Sequence, residues 1–349
     1  MEAKRRASDV SQRNVYVDVK KLPSFSGLNN LVQDIVKSSS AWERYGYDWM
    51  GVLGAVACVP IGLNLLAHPF LVAKALGMIL LGCYHNCIAQ KAGHLVLHGA
   101  YSPWRTFNEI ITRVCVEVVG SFPTWLAHDI HIRIHHPHTN IIGLGDSSSW
   151  RAPYLTCIPY MFFAPMLLPI LTPVLGVLML VEAKQWRQLM MFLITMPAGI
   201  AIHMCLIMSY TSCSMLTAAV VLMAYRAVFM VPYIHINIFQ HIGLPMYSQK
   251  NRPARIYQMA TGSLNLTHNW FLDLTFGSSL TTCHVEHHLF PTLSDNMCTK
   301  VKPVVSKYLL ENGLPYHEES YWQRMLVFLE HYDELMVNAP PITHFIGIQ

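Results

Sequence analysis

Charge is what this chain has least of. Asp, Glu, Lys and Arg together supply 13% of its 349 residues, about half the share of an average soluble domain. That deficit excludes an ordinary water-covered globule. Acidic residues are missing altogether from four apolar blocks, 49–67, 71–90, 189–209 and 215–238. Each block has the roughly twenty-residue length that carries a helix across about 30 Å of hydrocarbon. The fold class expected is an all-α integral membrane protein.

Other absences narrow the reading. There is no CxxC among the nine cysteines, which mostly lie in apolar segments. Cys83 and Cys87 share a helix face, and all nine read as small buried hydrophobes. The opening "MEAKRRASDVSQRNVYVDVKK" lacks the basic, apolar, small-residue order of a secretory signal, so 49–67 itself is expected to direct insertion. No lipidation or retrieval motif, internal repeat or low-complexity tract is present. The net charge of +4 is too modest for a nucleic-acid surface, so no nucleic-acid partner is expected.

Basic residues are also absent from particular places. The loops 68–70 and 211–214 have none, and of the 24 Lys and Arg only Lys74 and Arg226 fall inside the four blocks. Lys and Arg mark the cytosolic side, so two hairpins are expected, each entering from the cytosol and returning through a short lumenal turn. A fifth apolar stretch, 154–181, is long enough to span. Pro159, Pro165, Pro169 and Pro173 each remove a backbone donor, however, and a fifth crossing would move many basic residues outside. It reads as interfacial or re-entrant. Residues 1–48 and 321–349 are expected as cytosolic tails around a membrane domain at 49–320.

Histidine is what the chain has in excess. Its 19 histidines gather in "GHLVLHG" (His94, His98), "HDIHIRIHHPHTN" (His128, His131, His135, His136, His138) and "CHVEHHLFP" (His284, His287, His288). Two hairpins put all three groups on the cytosolic face. Residues four apart on a helix are neighbours, so His94 and His98 can aim at one ion, and His284, His287 and His288 share one arc. Neutral imidazole is the commonest protein metal ligand. Eight histidines exceed one octahedral ion, so two metals are the natural count. Isolated His68, His85 and His203 read as satisfied structural residues.

Read as HxxxH, HxxxHH and HxxHH, these boxes resemble the membrane fatty acid desaturase superfamily over about 45–320, most nearly a vertebrate branch of it. The resemblance implies a di-iron centre (two Fe) held by histidines. It would use O2 and two electrons to remove hydrogens from an unactivated acyl CH2–CH2, in an acyl-lipid or acyl-CoA held in the lipid bilayer. It further implies electrons from NAD(P)H through cytochrome b5 and its reductase, and residence in the endoplasmic reticulum. Residues 1–45 contain no His-Pro-Gly-Gly haem motif, so the cytochrome b5 is expected to be a separate protein drawn to the basic cytosolic face. An alkyl C–H has no acidity for acid–base groups to exploit, which fits a redox metal.

The resemblance carries metal ligation to His94, His98, His131, His135, His136, His284, His287 and His288, and to His268 in "GSLNLTHNWF". The second box fits a straight α-helix poorly: His135 lies about 40° from His131 but His136 about 140°. A local bulge or helix end at Pro137 is therefore expected, with His128 as a reserve ligand. Asp129 and Glu286 are expected to accept imidazole N–H groups. His235 and His241 read as interfacial polar residues, and 104–119 as an interfacial surface helix. Arg226 is the one charge deep in a span, with a partner left open. "NLT" at 265–267 is a glycosylation sequon that this topology places in the cytosol. A lipid hydroxylase of the same metal class and a zinc-dependent intramembrane hydrolase remain alternatives; a metal transporter is disfavoured because the spans lack acidic residues.

Overall fold

The computed structural model describes residues 22–144 and 155–336. Expectations made for 1–21, 145–154 and 337–349 fall outside the described residues. The chain is almost wholly helical. Its one sheet among the described residues is the parallel pair β1 (Asn265–Leu266) and β2 (Glu318–Glu319).

After a short helix α1 (Phe25–Ser38) come the long apolar helices: α2 (Trp42–Ala67), α3 (Leu71–Leu97), α6 (Pro159–Glu182), α7 (Trp186–Thr211) and α8 (Met215–Phe239). Between them lie α4 (Arg105–Val119) and α5 (Thr124–His138), bent 110° against each other. Helices α2 and α3 pack tightly because glycines face each other. A Cβ added at Gly77 would lie 2.7 Å from the Gly62 carbonyl oxygen, so only small residues allow this backbone approach.

Five helices are thus long and apolar enough to cross a membrane, or six if the bent pair counts as one, against the four expected. The extra candidate, α6, is helical despite its prolines. Pro159, Pro165 and Pro169 each fall at the first positions of successive helical segments, and only Pro173 is interior. The missing N–H costs little at a segment start.

The stretch expected as a surface helix, 104–119, is one arm of the bent pair. Glu117, buried at the elbow, accepts from Arg113 (2.8 and 2.9 Å), the Thr124 backbone N–H (3.2 Å) and the Thr195 hydroxyl (2.6 Å). Ser121 turns the corner with φ +58°.

The remaining elements form a cap: α9 (Arg255–Gly262), α10 (Trp270–Phe276), α11 (His284–Leu289), α12 (Asp295–Glu311) and α13 (Tyr321–Met336). In α1, Leu28 and Val32 are buried against Val301 and Val305 of α12. In α13, Met325, Phe328 and Tyr332 share a core with Ile236 and Phe239 of α8. Residues 321–336 are therefore integrated into the core. A buried ion pair, Lys91 to Asp295 at 3.4 Å, ties α3 to the cap. Arg324 donates to the carbonyls of Phe239 (2.9 Å) and Ile242 (2.6 Å), closing the end of α8 that leads into His241.

Candidate metal centre

The sequence brings the boxes together by an unusual winding. Residues His128–His135 form a π-helix that passes into a short α-turn, His136–His138. In i→i+5 winding, residues five apart return to one face. His131 and His136 therefore meet, Nε2 to Nε2 at 3.1 Å, while His135 turns to the other side. The expected irregularity near Pro137 is present, but it precedes the proline.

Two groups result. In the first, His94, His98, His131, His136 and His287 converge. In the second, His135, His241, His284 and His288 converge. Within each group, one nitrogen from every ring lies within 4.8 Å of all the others. Neighbouring Nε2 atoms are 3.1 Å apart for His136–His287, 3.1 Å for His284–His288 and 2.8 Å for His241–His284. Nitrogens bound about 2.1 Å from a common ion at right angles lie about 3 Å apart.

The tautomers in the second group test the fit to a cation. His284 Nδ1 lies 3.1 Å from the Ser279 carbonyl oxygen and His241 Nδ1 3.0 Å from that of Gly262. Carbonyls only accept, so both Nδ1 atoms carry the proton and both neutral rings present bare lone pairs at Nε2. Two lone pairs 2.8 Å apart repel unless a cation lies between them. Burial, reinforced by the neighbouring imidazoles, holds protonation of His284, His287 and His288 well below the ordinary histidine range, which favours the neutral, ligating form. In the first group, both nitrogens of His94 and Nε2 of His98 are buried without any hydrogen-bond partner. Neutral convergent imidazoles with orphaned nitrogens fit transition-metal ions.

The residues around the rings orient them. The Thr139 hydroxyl donates to the His135 carbonyl (2.7 Å) and lies 3.3 Å from His288 Nδ1. Asn140, at φ +55°, donates to the carbonyls of His241 and Gly262, fixing the loop that positions His241. The "HHPHTN" context thus supplies ring supports as well as ligating nitrogens.

Several expectations are corrected. His268 is not brought to either group: its ring is largely exposed, with Nδ1 2.6 Å from an Asp273 carboxylate oxygen. His241, read as interfacial, occupies the position in the second group instead. The signal for it was weak, a single imidazole after Gln240 at the end of a span on the face where the boxes gather. His128 is exposed and belongs to neither group. His138 lies beside Arg252, and His235 binds the Tyr321 hydroxyl and the Met161 carbonyl as a structural residue.

Neither nearby carboxylate supports an imidazole. Asp129 pairs with Arg133 at 3.4 Å. Glu286 accepts from Asn265 Nδ2 (3.0 Å) and the Tyr316 hydroxyl (2.7 Å), and burial pushes its carboxyl up to about 7. Asn265 is fully buried in this network, so the sequon is a packing feature of the fold.

Under the first group lies a cavity of about 310 Å³. His94 and His131 form part of its wall, together with the apolar side chains of Leu97, Phe122, Ile130 and Ile234.

Comparison with known proteins bears on this geometry. The fatty acid desaturase family pattern matches residues 41–320. The protein named fatty acid desaturase 6 of Bos taurus is 44% identical over 319 residues, 91% of this chain and 93% of its own length. That of Homo sapiens is 44% identical over 322 residues, 92% and 90% respectively. The Delta(5) fatty acid desaturase fat-4 of Caenorhabditis elegans is similar over a shorter region, 26% identical across 116 residues.

Proposed function

The chain belongs to the fatty acid desaturase family, a family of oxidoreductases, and we propose that it introduces a C=C bond into a lipid acyl chain held in the cavity beneath the first histidine group. The observation that carries this reading is shared wall: His94 and His131 belong both to a convergent imidazole group and to the cavity lining. A substrate in that cavity lies directly against whatever the imidazoles hold.

The first ion would be held by His94, His98, His131, His136 and His287, and the second by His135, His241, His284 and His288. With O2 and two electrons, bound iron supplies the oxidising power that an unactivated C–H bond requires. The chain does the rest. Leu97, Phe122, Ile130, Met230 and Ile234 enclose an extended chain and keep water out. The carbonyls of Ser279 and Gly262 hold the rings of His284 and His241 in one tautomer. The electrons would come from NAD(P)H through a separate cytochrome b5, docking on the cytosolic face.

The proposed topology has two hairpins, α2–α3 and α7–α8, with both termini and the metal centre cytosolic in the endoplasmic reticulum. Loops 68–70 and 211–214, free of Lys and Arg, would be the lumenal turns. The contacts of α6 support an in-plane path for it. Met161, near its start, bonds to His235 near the end of α8, while its other end turns at 183–185 into the first turn of α7. In an antiparallel α7–α8 hairpin those two places lie at the same membrane face.

Expression in a desaturase-poor host, followed by lipidomics with double-bond localisation, tests the function. A new double bond in a lipid pool is expected with the natural chain and not with His287→Ala. An unchanged profile across acyl-CoA, phospholipid and sphingolipid pools would refute the proposal, and a hydroxylated product would replace it with the hydroxylase reading.

A further inference from the structure

The floor of the cavity is not lined as a hydrocarbon slot. It contains Arg226 of α8 and His85 of α3. Arg226 is 1% exposed and lies near the middle of its helix. Its Nη1 donates to the Ser121 hydroxyl at 3.0 Å, but Nε and Nη2 are buried with no hydrogen-bond partner. Those two nitrogens form one edge of the guanidinium, the edge that takes a carboxylate by two parallel hydrogen bonds. His85, 3% exposed, likewise has a buried Nδ1 without a partner. Tyr84 and Tyr225 are the other polar side chains around the guanidinium, and the Tyr225 hydroxyl interacts with it directly, but a neutral phenol does not offset a cation.

Arginine stays charged in proteins, and a buried charge without a counter-ion is costly. No acid among the described residues lining the cavity offsets this cation, and an anion carried into the cavity by a ligand would do so. His94 lies nine positions after His85 on α3, which is π-wound over Cys87–Ala92, roughly two helical turns away, so the charged floor and the histidine wall can be bridged by one extended chain.

We propose that the cavity takes a chain terminated by a carboxylate at its inner end, seated on Nε and Nη2 of Arg226, with its methylenes passing beneath His94 and His131. The carboxylate is either the head of a free fatty acid that enters head-first or the distal carboxyl of a chain esterified at its other end; the chemistry recognised is the same. This deepens the desaturase reading, on which it rests for what happens at the histidine end, whereas the carboxylate preference itself is a matter of binding.

The test uses the full chain in detergent micelles with labelled hexadecanoate, competed by unlabelled hexadecanoate, methyl hexadecanoate and the monomethyl ester of hexadecanedioic acid, each corrected for partition into protein-free micelles. The free acid is expected to compete at least about tenfold better than the methyl ester, a difference of about 1.4 kcal/mol. That preference should shrink to about twofold or less in Arg226→Gln and be kept only in part in Arg226→Lys, which retains the charge but not the paired donors. Competition by the monoester better than by the free acid assigns the distal-carboxyl source, since only the outer ester distinguishes the two; competition by the free acid alone assigns the head-first source. Equal competition by acid and methyl ester in the natural chain overturns the proposal, whether or not the variants fold. Persistence of the preference in Arg226→Gln overturns it as well. A carboxylate preference with no double bond formed in the lipidomic test refutes the desaturase reading alone. A double bond formed equally well in chains lacking an inner carboxylate refutes this proposal alone.

Discussion

The two histidine groups are built differently although they adjoin. In the second group all four rings are buried, two are locked by backbone carbonyls at Nδ1, and a third lies against the Thr139 hydroxyl. In the first group, Nδ1 of His94, His136 and His287 finds no partner, and His94 and His131 stand in the cavity wall. One group is anchored by the protein on the side away from the cavity. The other is left adjustable where a substrate would lie. On the proposed function this difference implies a division of labour: the second group would fix an ion, and the first would hold its ion where the chain to be oxidised can reach it.

The strongest way to break that comparison is to remove an anchored ring. His241→Ala leaves three imidazoles in the second group and removes the ring's bond to the Gly262 carbonyl, which keeps Asn140 as a donor. Product formation should fall to background, and iron per chain should drop by about one of the two ions proposed, measured by elemental analysis of the purified protein. Full iron content in this variant would remove His241 from the site. Zinc in place of iron in the natural chain would favour the hydrolase alternative.

A second substitution acts only on the cavity side. Ile234→Trp puts an indole into the cavity wall at a position outside both imidazole groups. Turnover should fall by roughly a hundredfold, as reacting atoms lose their alignment, while iron content stays at the natural level. Loss of iron here would mean that cavity and metal groups are not separable as the comparison requires.

A third, smaller effect probes the anchoring. Thr139→Val keeps the side-chain shape but loses the hydroxyl near His288 Nδ1 and its bond to the His135 carbonyl. Removing such a support typically weakens metal binding by about 10–100-fold. The expected result is faster loss of one iron to a chelator, with the other retained. Equal loss of both would show that the two groups behave as one.

Much of this site was legible in the sequence because box spacing survives folding. His94 with His98, and His284 with His288, sit four apart on ordinary helical turns and enter one group together, whereas His287, read onto the same arc as His284 and His288, joins the other group. The second box was only partly legible. Its division, His131 and His136 to one group and His135 to the other, depends on π winding that α-helical angles do not anticipate. His241 was illegible for another reason: a lone imidazole carries no spacing, and only tertiary packing through Asn140 and Arg324 delivers it. The long apolar helices were plain from composition, whereas the route of α6 was not. Hydropathy measures whether a helix can enter a membrane and says nothing about its direction once there. The integration of 321–336 was hidden by its mixed composition, since Met325, Phe328 and Tyr332 are spaced among exposed polar residues.

The smallest expected effect sharpens the comparison by exclusion. His268 was carried over from the family resemblance as a ligand, yet its ring is largely exposed and bonded to Asp273, which itself hydrogen-bonds the Thr281 hydroxyl. If the second group is complete with His135, His241, His284 and His288, then His268→Ala removes only a surface hydrogen bond to Asp273, worth at most about 1 kcal/mol. Iron content should be unchanged and product formation within about twofold of the natural chain, in contrast to His241→Ala measured side by side. A loss of iron in His268→Ala comparable to that in His241→Ala would mean that the loop 267–269 folds onto the metal centre in the working enzyme, and the anchored group would then have a fifth member.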